Sequence, residues 1–178
     1  MVQGVVPKKW SRDDYGRLMD AGVLTEADPV QLIAGEIVEM SPEKSAHAAV
    51  VELVADALRS SLPTGWHVRV QHPLALAADS EPEPDVAVVA GSIRDYLAAH
   101  PKEAPLVVEV SESSIVYDRG AKAELYARSA VDTYWLVDLT HGVLEVRRGH
   151  SLETLRSGER VTPPIEGSEP IAVSDLLP

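Results

Sequence analysis

Residues 105–138 read PLVVEVSESSIVYDRGAKAELYARSAVDTYWLVD, and the order of patterns inside that stretch decides the fold. Leu106 to Val110 is a Val-rich apolar run broken by one acid, the composition of a strand buried on both faces. RGAKAELYARSA (119–130) reads as a helix, and DTYWLVDL (132–139) as a second β-prone run. Strand, helix and strand in immediate succession point to an α/β architecture, a sheet with helices on its flanks.

The same reading extends outward. PDVAVVA (84–90) is a short buried strand, and WHVRVQHPLALAA (66–78) is a strand with a break at Pro73. PVQLIAGEIVEM (29–40) folds back on itself at Ala34-Gly35 as a hairpin. Between these, SPEKSAHAAVVELVADALRSSL (41–62) predicts a helix with Ser41 as N-cap and Pro42 at its first position. Ala46, Val50, Leu53, Val54, Ala57 and Leu58 recur in it at helical spacing. WSRDDYGRLMDAG (10–22) predicts a short helix, opened by Ser11 with Asp14 and stopped at Gly22, and SIRDYLAAH (92–100) another that ends before Pro101. GVLEVRRG (142–149) is a strand after a turn at His141-Gly142. The last segment, 149–178, is Pro- and Gly-rich and is expected to wrap the edge of the sheet. The length of 178 residues suits one domain over 1–178, with a core at about 28–148 and the tail beyond it.

Composition removes several functions. Cys is absent, which excludes disulfides, thiolate nucleophiles and cysteine metal cages. Lys and Arg total 16 against 28 Asp and Glu, a net charge of −12, which argues against a general polyanion binder. Three Trp, five Tyr and no Phe leave few platforms for stacking bases. No segment approaches the roughly 20 apolar residues that span a bilayer, and MVQGVVPKKWSRDDYGR has no signal-peptide core, so a cytoplasmic location is expected. HExxH, GxSxG and GxxxxGK are all missing, so zinc, serine-hydrolase and NTPase chemistry lack their sequence signals.

Chemistry is instead suggested by two acids set in core strands. In EPEPDVAVV (81–89), Pro82 and Pro84 hold the chain extended and Pro84 cannot donate to a ladder, so the strand starts at Asp85, at the rim of the sheet. Glu109 lies among valines, where an unpaired ionised carboxylate costs several kcal/mol. It is therefore neutral, ion-paired with Lys122 or an arginine, or bound to a metal. Two such acids on adjacent strands, with the carbonyl of Val110, would suit Mg²⁺, which takes one or two carboxylates and completes its shell with water.

These segments carry a resemblance. PDVAVV, PLVVEVSESS, YDRGAKAELYARSAVDTYWLVD and LIAGEIVEMSPEKSAHAAV together resemble the Uma-type family of restriction-endonuclease-like proteins, within the PD-(D/E)XK nuclease superfamily. The resemblance implies a central mixed β-sheet flanked by helices, with Asp85 and Glu109 as ligands of Mg²⁺ or Mn²⁺ for phosphodiester hydrolysis of DNA, and a homodimer. The superfamily's lysine would fall at position 111, where this chain has Ser111; the family resemblance moves that role to Lys122 on the following helix. Acids common in the family near positions 31 and 34 are replaced by Gln31 and Ala34, while Glu36 is retained as a further site residue.

Each assignment has a plainer counterpart. Lys122 lies four residues after Asp118, the spacing of an ordinary surface ion pair. Glu36 follows the hairpin glycine and could simply be solvated. His47 stands either near the site or on the surface of the long helix. For the whole molecule the alternative is a catalytically inactive nuclease-fold domain acting as a homodimeric or protein-binding module. A glycosidase built on the two acids has only that pair for support.

Overall fold

The computed structural model describes residues 6–25, 27–42 and 44–178; residues 1–5, part of the segment read above for a signal peptide, lie outside them. The first helix, α1 (Arg12–Asp20), opens with Ser11 and Asp14 each capping the other's backbone, and ends into Gly22 at φ +68°. β1 (Val30–Ile33) and β2 (Glu36–Glu39) form the expected hairpin. Its two-residue turn has Ala34 at φ 51° and Gly35 at φ 77°, the doubly positive pattern that matches strand twist. A side chain at position 35 would also collide with Lys9, 2.9 Å from the added carbon.

After α2 (Ser45–Ser61) come β3 (Trp66–Val70), β4 (Val86–Ala90) and β5 (Ala104–Ser111). A helical crossover, α3 (Ile115–Tyr117), a π-turn (Asp118–Lys122) and α4 (Ala123–Ala127), leads to β6 (Val131–Asp138), β7 (Val143–Arg148) and β8 (Ser151–Arg156). These six strands form one mixed sheet in the order β3-β4-β5-β6-β7-β8. β5 and β6 are parallel and every other pair is antiparallel. The parallel pair needs the crossover, which is why the helical segment lies against the sheet at this point.

Strand alternation builds two apolar layers. On one face Val86, Val88, Leu106, Val108 and Trp135 pack under Val50, Val54 and Leu58 of α2. On the other, Ala87, Val89, Val107, Tyr134 and Leu136 pack under Leu125 and Tyr126. The α/β sheet flanked by helices is thus as read from the sequence.

Three local readings are corrected. The long helix begins at Ser45 with Lys44 as N-cap, so Ser41 and Pro42 precede it. Only there does the helix gain sheet to cover: Val50, Val51, Val54, Ala55 and Leu58 are buried, while Leu53 is 45% exposed. SIRDYLAAH holds only a 3₁₀ turn, Ile93–Tyr96, despite a capping box of Ser92 with Asp95. Ile93 and Leu97 stay exposed, so no apolar face rewards further turns. The tail supplies more than a wrap: β8 forms one edge of the sheet, β9 (Arg160–Val161) pairs with β10 (Ile171–Ala172), and a 3₁₀ turn (Val173–Leu176) packs into the α2 layer.

Candidate active site at the β4–β5 rim

β4 pairs with β5 in the register Val86↔Val108. One further step puts Asp85 opposite Glu109, and opposed residues of an antiparallel pair project from the same face. The ladder changes character here because Pro84 would fall opposite Val110 and has no N–H. The carboxylate of Asp85 takes over, accepting the Val110 N–H at Oδ2 over 2.8 Å. In an antiparallel strand a residue's N–H and C=O face the same neighbour, so the Val110 carbonyl also faces Asp85, and the proline offers it no donor. His47, in the first turn of α2, brings Nε2 to 3.2 Å from the same Oδ2. Asp85 is thereby fixed from two directions with its side chain 13% exposed.

Glu109 is 3% exposed. Lys122 Nζ lies 2.9 Å from its Oε1, and the Tyr126 hydroxyl donates to that same oxygen over 2.6 Å. Lys122 and Tyr126 reach one atom because they are a helical turn apart along the crossover. Asp118 lies 3.8 Å from Lys122 Nζ and is itself buried, and Ser114 donates a hydrogen bond to it. The π-turn between Asp118 and Lys122, closed by the Ala123 N–H on the Asp118 carbonyl, is a local widening of a kind often found at functional sites. The Asp118–Lys122 pair, whose spacing fits a surface contact equally well, is therefore internal, with Lys122 only 7% exposed.

The electrostatics follow from crowding acids in a dry place. Burial pushes the Glu109 carboxyl up to about 8; Lys122 opposes the rise, Asp85 and Asp118 add to it, and the Tyr126 hydrogen bond pulls it back a little. Burial pulls the Lys122 ammonium down, but Glu109, Asp118 and Asp85 outweigh it and hold it up at about 12. Burial, then the charge on Glu109, keeps the Tyr126 hydroxyl protonated, well above its ordinary value.

Both contacts on Glu109 fall on Oε1 and both on Asp85 fall on Oδ2. Oδ1, Oε2 and the Val110 carbonyl are the oxygens these contacts leave over, a hard donor set that suits Mg²⁺ or Mn²⁺. Among the described residues no group of three or more His, Asp or Glu forms a preformed metal cage, so such an ion would complete its shell with water.

The expected site residues divide clearly. Asp85, Glu109, Val110 and Lys122 converge. Glu36 does not join them: its exposed carboxylate is held by Lys9 at 2.6 Å, and its link to the site is its charge acting on Tyr117 beside Lys122. Gln31 is buried and its side-chain oxygen accepts the Glu83 N–H over 3.2 Å, so the hairpin props the segment that leads into Asp85. Sequence reasoning missed Tyr126, whose spacing of four from Lys122 was the available signal. It also missed Glu83, a half-buried carboxyl raised by burial and by Glu81 and lowered by Lys122. Among the described residues no helix is long and apolar enough to cross a membrane.

Comparison with known proteins gives a family and a fold. Residues 13–178 match a family model described as "Uma2: Putative restriction endonuclease". A solved structure described as a putative nuclease, from Anabaena variabilis ATCC 29413, superposes with a TM-score of 0.73 at 15% identity. The match covers 93% of this chain and 96% of that one, and at this identity it establishes a shared fold. Among curated proteins no match is found.

Proposed function

The chain belongs to the Uma2 family, and from that premise we propose that it is a metal-dependent endonuclease that hydrolyses phosphodiester bonds in DNA. The observation that carries the reading is the placement of Asp85 across from Glu109 with the Lys122 ammonium 2.9 Å from the latter. Asp85, Glu109 and the Val110 carbonyl would hold Mg²⁺ or Mn²⁺, which supplies Lewis-acid polarisation of a phosphoryl oxygen and an acidified water. Lys122 is held charged to about 12, so it acts as a cation that stabilises negative charge on the phosphate and not as a proton acceptor. Tyr126 and Asp118 keep that ammonium and Glu109 in place. The Val110 N–H and His47 orient Asp85. Glu36 stays outside this set, its exposed carboxylate held by Lys9.

Cleavage of plasmid and oligonucleotide DNA with Mg²⁺ or Mn²⁺ tests the reading. The wild-type chain cuts, while Asp85→Asn and Glu109→Gln each lose at least about 100-fold, the scale on which removing an electrostatic catalytic group acts. Undiminished cleavage by both variants would refute it.

One observation favours a second reading. Lys122 and Tyr126 already satisfy Oε1 of Glu109, a trio that is complete without an ion. A nuclease-fold domain retired to homodimeric or protein-binding work would keep that trio. It would give no Mn²⁺ heat by calorimetry and no metal-dependent rise in melting temperature, whereas the nuclease gives both.

A further inference from the structure

Asp118 and Arg119 are neighbours in the crossover, yet their side chains serve different strands. Asp118 faces Lys122 and, through it, Glu109 of β5. Arg119 reaches across to β6 and β7: its Nη2 lies 2.7 Å from Asp138 Oδ2 and 2.7 Å from Glu145 Oε1, and its Nε donates to the same Glu145 oxygen over 3.0 Å. Both acids are buried. The Thr140 and His141 N–H groups donate to Asp138 Oδ1 over 3.0 Å each, so the carboxylate that receives Arg119 is itself fixed in the turn between β6 and β7.

Strand register locates this second grip. Glu109 pairs with Leu136, and Leu136 with Glu145, so Glu145 projects from the same face of the sheet two strands away, about 10 Å by strand spacing. The short crossover is therefore held at two places, by Lys122 on β5 and by Arg119 on β6 and β7. Both residues belong to the π-turn, which closes onto the fifth residue where a regular helix closes onto the fourth. Relaxing it into a regular turn would rotate Lys122 relative to Arg119. Arginine suits such an anchor because its planar guanidinium presents several donors in one rigid arrangement, whereas lysine offers a point charge on a flexible stem.

We propose that Arg119 is a positioning residue of the candidate nuclease site: its hold on Asp138 and Glu145 sets the π-turn so that the Lys122 ammonium stands at Glu109 Oε1. The inference rests on the nuclease reading, in which Lys122 stabilises charge on the phosphate. Among the described residues Arg119 makes no polar contact with Asp85 or Glu109, so it acts on the chemistry only through Lys122.

The test is Arg119→Lys in the full chain, which keeps the charge and removes the rigid fork. Arg147, 3.3 Å from Glu145 Oε2, and His141, 2.7 Å from Asp138 Oδ2, still partner the two acids, so the variant is expected to fold. Two quantities are measured: steady-state cleavage of a duplex oligonucleotide with Mg²⁺, and the ¹H–¹³C signal of Lys122 Cε, identified by its absence in Lys122→Arg. The expected result is a kcat lower by about 10- to 100-fold with KM within about twofold, and a Lys122 signal moved toward the position of exposed lysines. Leu176→Ala, which loosens the layer on the opposite face of the sheet, keeps the wild-type kcat and signal. Wild-type kcat and an unmoved signal in folded Arg119→Lys would overturn the proposal. So would a raised KM with kcat intact, which means direct contact with DNA, or equal losses in Leu176→Ala, which mean general loosening. If Arg119→Lys fails to fold by near-ultraviolet dichroism, Glu145→Gln takes its place with the same expectation for both quantities. A wild type that cuts no DNA removes the nuclease reading alone, and the Lys122 signal then decides whether Arg119 sets the aim of that ammonium.

Discussion

Glu109 ties the site to pH. Burial moves its carboxyl from the ordinary 4.5 up to about 8, so between those values the folded chain keeps a proton that the unfolded chain has released. The stability this group contributes is full below about pH 4.5 and is lost as pH rises toward 8. Glu109→Gln, neutral throughout, should flatten the decline in melting temperature between pH 5 and pH 8; parallel curves for variant and wild type would contradict the assignment. A bound cation must displace the same proton, so Mn²⁺ affinity measured by calorimetry should tighten from pH 6 to pH 8, by at most about tenfold per unit for one proton. Lys122→Met leaves Glu109 and Asp118 buried without their cation. At pH 8 the expected loss in chemical denaturation is about 3–5 kcal/mol, and it shrinks at pH 5, where Glu109 accepts a proton instead. A pH-independent loss would mean that packing, not charge, was removed. Asp85 and Glu109 were legible in the sequence because an acid in an apolar run demands a partner. Lys122 was legible only through family resemblance, since its spacing from Asp118 fits a surface pair equally well. The contact of His47 with Asp85 depends on how α2 lands on β4, which no local pattern encodes.

At the scale of elements, strands were read better than helices. Val-rich runs bounded by Pro and Gly announce β4 to β7, and Ala34-Gly35 announces its turn, because these signals are local. Helix limits follow what a face can bury, so the long helix starts late and SIRDYLAAH stops after one 3₁₀ turn. The crossover helix was legible as a helix but not as one that widens into a π-turn around Asp118 and Lys122. That widening belongs to a stretch where both charges are drawn inward to Glu109. Gly120 sits in this turn without a positive φ and with open space around the position of a Cβ. Gly120→Ala should therefore stabilise the protein by about 0.4–1 kcal/mol in urea titration, by restricting the unfolded chain. A destabilised variant would show that the π-turn needs glycine's freedom.

For the whole molecule, the tail is where sequence and structure part most. A Pro- and Gly-rich segment carries no periodicity, so its five apolar anchors could not be told from loop residues; Val161, Ile165, Ile171, Val173 and Leu176 prove to be at most 6% exposed and join the α2 layer. We propose that the chain unfolds as one cooperative unit with this tail included. Burying each such side chain contributes about 1.5–3 kcal/mol. Five together amount to the order of the 5–15 kcal/mol by which a whole domain is stable. A chain ending at Gly158, which keeps all six strands and every site residue, is thus expected to lose its folded state, seen as absent near-ultraviolet dichroism and no cooperative melt. The point variant Leu176→Ala, fully buried in the same layer, should lose about 2–5 kcal/mol and melt in a single transition. A truncated chain that melts cooperatively near the wild-type temperature would show instead that residues 1–158 are self-sufficient. The acid pair would then be supported by the β3–β8 sheet and its two helical layers without the tail.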